Sequence, residues 1–187
     1  MRMPLLILAI VTSQFAGAAQ PPRGAQSADS LTTIVLARPV LDSMNLIFTQ
    51  ANEHWNELAD LNWMERSLGT VRPTQREYLG CLLGEVRGDT LVVDDWKPAR
   101  DMKRLMLAVT GDCSGLARYV GTFHNHPYLA DSQNRATKQR FLAPQDLQSF
   151  EVSDDLVAMV IWDPDSLDAA LRTPSGGIVR DQPVVVR

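Results

Sequence analysis

The sequence predicts an α/β domain, a mixed β-sheet flanked by helices, set behind an N-terminal signal peptide. Three observations predict it. Apolar, β-branched runs of strand length recur along the chain, each bounded by turn-forming residues. Between them, apolar residues fall at helical spacing, as at Val40, Met44, Ile47, Phe48 and Ala51. A chain of 187 residues with 45% apolar content suits one domain with its own core and argues against disorder.

The chain opens with Arg2, an apolar stretch from Leu5 to Val11, and the small residues Ala16-Gly17-Ala18-Ala19, the layout of a secretory leader over residues 1–19. The apolar stretch is too short to span a bilayer, so the mature chain is expected to carry no transmembrane segment and to be exported, to a periplasm or the medium. An apolar first strand or a misplaced start codon is the alternative, and would leave the protein in the cytoplasm. Residues 20–30 mix breakers with small polar residues and read as a flexible lead-in, so the folded domain is expected over 31–187.

Thr32 to Ala37 is β-branched and apolar, a strand that feeds the helix carrying Val40 to Ala51. Residues 53–69, with Trp55 and Trp63, read as a second helix stopped by Gly69. His54 in it reads as an ordinary helix residue. Tyr78 to Val86 and Thr90 to Trp96 read as a hairpin around Arg87-Gly88-Asp89. Met102 to Thr110 fits helix or strand. Ala117 to Phe123 reads as a buried strand, and Ala143 to Phe150 as the opening of a helix with Pro144 in its first turn. Leu156 to Trp162 is a continuous apolar run typical of a central strand, and Leu167 to Arg172 with Ile178 onward suggests a closing hairpin.

The formal charge is -4, and removal of residues 1–19 takes away only Arg2, leaving -5. No block of lysine and arginine suits a phosphate backbone, which argues against a nucleic-acid partner. Cys81 and Cys113 can form a bridge after export or stand as two buried thiols.

Two of the three histidines lie in His124-Asn125-His126-Pro127. Residues i and i+2 of a strand project from one face, so both imidazoles can reach one ion, and Pro127 then stops the strand. Asp146, in the first turn of the later helix, supplies a third ligand. Three protein ligands with a position left for water is the catalytic zinc arrangement, whereas a structural site takes four. Asp131 competes for the third place but lies in a flexible polar stretch, and a four-ligand site of Cys81, Cys113 and the histidines would ignore the carboxylates. Asp94 and Asp95, and the acids around Asp154 and Asp155, read as solvated, and Tyr128 and Trp162 as packing residues. Amide hydrolysis further needs a carboxylate that can cycle a proton to the leaving nitrogen. Glu77, an acid opening an otherwise apolar strand, is the candidate.

Glu77 followed by Gly80-Cys81-Leu82-Leu83-Gly84, then His124-Asn125-His126-Pro127, then a distal Asp resembles the JAMM metalloprotease family, whose domain is also called MPN or JAB-type. The resemblance spans about Leu31 to the C-terminus. It implies a single MPN/JAB-like domain in which Glu77 is the acid/base residue and His124, His126 and Asp146 hold Zn2+. It further implies a protein or peptide substrate, conjugates included, cut at a peptide or isopeptide bond. A non-catalytic MPN-like metal-binding interaction module is the alternative.

The chain departs from that family pattern twice. Sixteen residues, Pro127 to Leu142, stand before Ala143-Pro144-Gln145-Asp146, nine more than the family has, which predicts a longer loop over the site. Loop closure costs grow only logarithmically with length, so the insertion is tolerable and free to set specificity. Ala143 stands where the family has a serine that caps the helix and donates near the reacting oxygen. Ser132 or Thr137 of the inserted loop could supply a substitute hydroxyl.

Overall fold

The computed structural model describes residues 31–53, 76–104, 108–130, 136–173 and 175–187. The expected leader and lead-in, all but the first residue of the expected helix 53–69, and Asp131 and Ser132 lie outside the described residues.

β1 (Thr33–Leu36) alternates half-buried and buried side chains and leads directly into α1 (Arg38–Ala51), where Pro39 fits the first turn because its missing N–H has no helical partner there. The apolar stripe of α1, Val40, Leu41, Met44, Ile47, Phe48 and Ala51, is buried as its spacing predicts. Loss of Phe48 would cost about 3–5 kcal/mol by the usual transfer and cavity terms.

β2 (Leu79–Arg87) and β3 (Thr90–Pro98) form the expected hairpin, and Gly88 at φ +62° takes the left-handed conformation the turn needs. In the ambiguous Met102 to Thr110 region, the described residues 102–104 and 109–110 are strand, in β4 (Arg100–Arg104) and β5 (Val109–Asp112), which pair as a two-stranded antiparallel arm. β6 (Tyr119–Asn125) carries the first histidine. Between Pro127 and Leu142, β7 (Leu129–Ala130) and β8 (Ala136–Thr137) pair antiparallel. α2 (Pro144–Val152), β9 (Val157–Asp163), β10 (Ser166–Arg172), β11 (Ile178–Arg180) and β12 (Val184–Val186) complete the described elements.

Eight strands share one mixed sheet in the order β11-β10-β9-β6-β2-β3-β1-β12. β9 runs parallel to β6, and β1 runs parallel to both β3 and β12. The expected closing hairpin is β10–β11, but the chain then returns to the far edge, where β12 joins β1.

α1 covers one face of the sheet through Ile34, Leu36, Leu91, Phe123, Met159 and Ile161. The other face is covered by α2, with Leu142 and Phe150 on Ala158, Val160 and Ala170, and by the β4–β5 arm around Cys81, Ala99 and Cys113. The two cysteines are joined as a disulfide between β2 and the segment after β5. That pairing closes the question the sequence left open and removes both thiolates from any structural metal site.

The glycines of Gly80-Cys81-Leu82-Leu83-Gly84 have a steric reason. A Cβ at Gly80 would meet the Phe123 ring at 2.0 Å, and one at Gly84 would meet the Val92 carbonyl oxygen at 2.0 Å. β2 therefore sits close to both neighbours, which fixes Glu77 relative to the histidines of β6. No described helix is long and apolar enough to cross a membrane.

Candidate metal centre

The site lies on the α2 face of the sheet. Leu79 of β2 pairs with His124 of β6, so Glu77, two residues earlier, continues along the face that His124 shares. On the other side His124 pairs with Val160 of β9, and the His126 N–H donates to the Ile161 carbonyl at 2.9 Å. That bond carries strand alternation one residue past the end of β6. His124 and His126 therefore project to the same side before Pro127 turns the chain.

The two Nε2 atoms lie 3.0 Å apart, and Asp146 Oδ2 is 3.4 Å from each. A tetrahedral zinc ion about 2.0–2.1 Å from each ligand requires ligand atoms about 3.3 Å apart, so the triangle fits one face of such a site. Among the described residues this trio is the group of metal-ligating side chains that converge.

The charge state of the donors fits a cation as well. His126 Nδ1 is 2.9 Å from the Gln139 carbonyl, which can only accept, so Nδ1 carries the proton and Nε2 offers its lone pair. Gln139 belongs to the stretch between Pro127 and Leu142, which thus orients one of the candidate ligands. Asp146 sits at the third helical position of α2, and its Oδ2 accepts the Ala143 N–H at 2.7 Å. This is one half of a capping box; Ala143 cannot return the other.

Burial would raise the Asp146 carboxyl, but the His124 and His126 imidazoles beside it and the Ala143 N–H outweigh that and hold the group well below the usual carboxylate range. Burial pulls His126 down, yet the Asp146 carboxylate, the Gln139 carbonyl and Glu77 together leave it raised. Glu77 is 4% exposed. Burial pushes its carboxyl up to about 7, with the His126 imidazole opposing and Asp146 adding to the rise.

The segment bearing Glu77 lies beyond the last paired residue of β2 and is held by two other contacts. Asn125 Oδ1 accepts the Tyr78 N–H at 2.7 Å, and Arg104 Nε donates to the Glu77 carbonyl at 3.2 Å. Asn125 was not legible as a site residue. It is fully buried on the opposite face from the histidines, and its Nδ2 has no hydrogen-bond partner among the described residues.

Glu77, His124 and Asp146 open onto one cleft of about 280 Å³, lined further by Thr122, Phe150 and Asp155. Asp155 corrects the sequence reading. It is half-buried rather than solvated, and its carboxylate accepts the Tyr119 hydroxyl at 2.7 Å. Asp94, by contrast, is an exposed acid paired with Arg118. Tyr128 packs edge-on against Phe48 and donates its hydroxyl to Asp163, the packing role expected of it. Thr137 does not serve as a substitute donor here, because its hydroxyl is exposed and bonded to the Leu129 carbonyl. Gln145 and Ser149 of α2 do face the cleft. Ser149 follows Asp146 at i+3, a helical spacing that makes the two neighbours on one side of α2.

Compared with protein-family models and with curated proteins, the chain matches none.

Proposed function

We propose that the protein is a zinc-dependent metallopeptidase or isopeptidase of JAMM type that hydrolyses a peptide or isopeptide amide bond. The observation that carries this reading is the triangle of His124 Nε2, His126 Nε2 and Asp146 Oδ2 opening onto the same cleft as the buried acid Glu77.

His124, His126 and Asp146 would hold the zinc ion, which when bound would supply an acidified water and an electrophile for the substrate carbonyl. Glu77, held near neutrality by its burial, takes a proton from the attacking water and passes it to the departing nitrogen as the C–O bond forms and the C–N bond breaks. The fixed Nδ1–H of His126 keeps that imidazole in the ligating tautomer throughout.

The reading includes export. A disulfide in a domain of this size favours an oxidising compartment, in accord with the leader expected over residues 1–19. A second reading, a non-catalytic MPN-like module that keeps metal for stability, draws support from Ala143 alone.

Elemental analysis for zinc, followed by hydrolysis of peptide and isopeptide panels with native protein and Glu77→Gln, separates the two. The hydrolase reading requires bound zinc, cleavage by the native protein, and loss of that cleavage in the variant. Zinc binding without cleavage supports the module.

A further inference from the structure

The cleft continues well past the metal ligands. It follows β6 from His124 over Thr122 to Asp155, with Ala158 of β9 beside it and Leu79, Val109 and Phe150 as apolar walls. Gly121 pairs with Val157, so Asp155 lies beside Tyr119, at the opposite end of β6 from His124. The five-residue offset from Tyr119 to His124 amounts to about 16 Å of strand.

Asp155 closes this end as an acid without an ionic partner. Its carboxylate is bonded to the Tyr119 hydroxyl, and no lysine or arginine nitrogen comes within ion-pair distance among the described residues. Arg172 attracts it from behind, but its Nε donates to the Asp155 main-chain carbonyl at 2.9 Å and a terminal nitrogen donates to the Phe150 carbonyl. Burial holds the Asp155 carboxyl above the ordinary range despite those neighbours, as expected of a carboxylate short of a cation. Among the described residues the lining contains Glu77, Asp146 and Asp155 and no lysine or arginine. A divalent ion between the ligands offsets the first two acids and leaves Asp155 as the uncompensated charge.

The geometry points to Asp155 as the far end of the substrate cleft, selecting a substrate that carries a lysine- or arginine-like cation two or three residues from the amide to be cut. This rests on the hydrolase reading above. The spacing follows from reach: an extended chain advances about 3.3–3.6 Å per residue, so two or three residues and a long basic side chain together cover the distance. A carboxylate at the end of an otherwise apolar pocket selects basic side chains in the same way in trypsin-like proteases.

The test uses acetylated, amidated alanine–glycine octapeptides in which one lysine, glutamine or glutamate is placed two or three residues to either side of the central amide. Two readouts are taken: hydrolysis by native zinc-loaded protein, and equilibrium binding to zinc-loaded Glu77→Gln by calorimetry. The inference requires that lysine at one of these positions bind about tenfold more tightly than glutamine, with glutamate weakest, a difference of about 1.4 kcal/mol. Asp155→Asn in the same background erases the lysine preference, whereas Tyr119→Phe, which keeps the carboxylate, retains it. Ser149→Lys, on the exposed side of α2, places a competing cation at the cleft and inverts the preference without touching the Asp155 packing. Equal binding of lysine and glutamine peptides, or a preference that survives both Asp155→Asn and Ser149→Lys, overturns the inference. Cleavage indifferent to charge would leave the hydrolase reading standing without it. Preferential binding of the lysine peptide with no turnover would do the reverse.

Discussion

His124 and His126 bring their Nε2 atoms to 3.0 Å of each other, a separation that two lone pairs cannot share without a proton or a cation between them. The Gln139 carbonyl fixes one proton of His126 on Nδ1, so the contact is resolved either by a further proton between the two rings or by a metal ion. We expect one zinc per chain. Zinc at a hundredfold excess over its dissociation constant should add about 2.7 kcal/mol of stability, or roughly 5–10 °C in Tm for a domain of this size. His126→Ala and Asp146→Ala should abolish this shift, and a chelator should reverse it in the native protein. A Tm insensitive to zinc would remove the metal centre.

Shortening the inserted loop gives a sharper test of how the centre is built. Gln139 reaches His126 through a main-chain carbonyl, so no side-chain substitution removes the contact, but deletion of nine residues across β7 and β8 should displace it. Outer contacts of this kind are worth about 10–100-fold in metal affinity. We expect a zinc dissociation constant weaker by that factor with the fold retained, measured by competition with a chromophoric chelator.

Ala143 leaves α2 with one half of a capping box, the Asp146 carboxylate on the Ala143 N–H. Ala143→Ser should complete it and stabilise the protein by about 1 kcal/mol. If the serine hydroxyl also donates to the developing oxyanion, kcat should rise tenfold or more with KM little changed. A stability gain with no change in kcat would assign the donor role to another group, with Ser149 and Gln145 the candidates facing the cleft.

The site was more legible in the sequence than the sheet that carries it. Alternation along a strand is enough to align His124 with His126, and a proline in a first helical turn is enough to hold Asp146, because both are local rules. The return of β12 to pair with β1 is not local. Its three valines carry no mark of which partner they join, and parallel pairing is decided by the rest of the fold. Asn125 escaped because strand alternation sends it away from the very residues that flank it. Asp155 was misread because a Ser-Asp-Asp run before a strand looks like a solvated turn, whereas Tyr119, thirty-six positions earlier, makes it part of the cleft. The cysteine pair left bridge and free thiols equally open, since two cysteines do not specify their own separation in space.

The disulfide fastens one wall of the cleft. Cys81 sits on β2 in the face of Leu79 and Glu77, and Cys113 closes the arm whose Val109 and Thr110 line the cleft. A bridge across 32 positions is worth about 3–4 kcal/mol on the chain-entropy account. Cys81→Ser/Cys113→Ser should lower stability by that order in urea unfolding. It should also raise KM more than it lowers kcat, because the wall loosens while Glu77 stays held through Asn125 and the candidate metal ligands belong to other elements. Equal stability of reduced and oxidised protein would contradict this.

The acid at Glu77 sets a pH signature that can be separated from the metal. Its carboxyl is raised from 4.5 to about 7 in the fold. Below 4.5 the group is protonated folded and unfolded alike, and its contribution to stability is fully present. Between 4.5 and 7 the unfolded chain releases a proton that the folded protein keeps, so stability falls as pH rises, by about 3 kcal/mol in total for the metal-free protein. His126, also raised, acts in the same direction as pH passes its own range, whereas Asp146, lowered, contributes stability that is lost only in acid. Urea titrations of metal-free native protein and Glu77→Gln between pH 4.5 and 7.5 isolate the Glu77 part together with its share of the His126 rise, because the variant removes the carboxyl and its attraction for the imidazole while Asp146 and Gln139 still act on His126. In the zinc-loaded protein the neighbouring cation favours the carboxylate, so kcat/KM should rise with pH through an apparent pKa at or below about 7. Parallel stability curves for the two metal-free proteins across this interval would mean that Glu77 is ionised as readily in the fold as in the unfolded chain, and the buried acid/base residue would be lost with it.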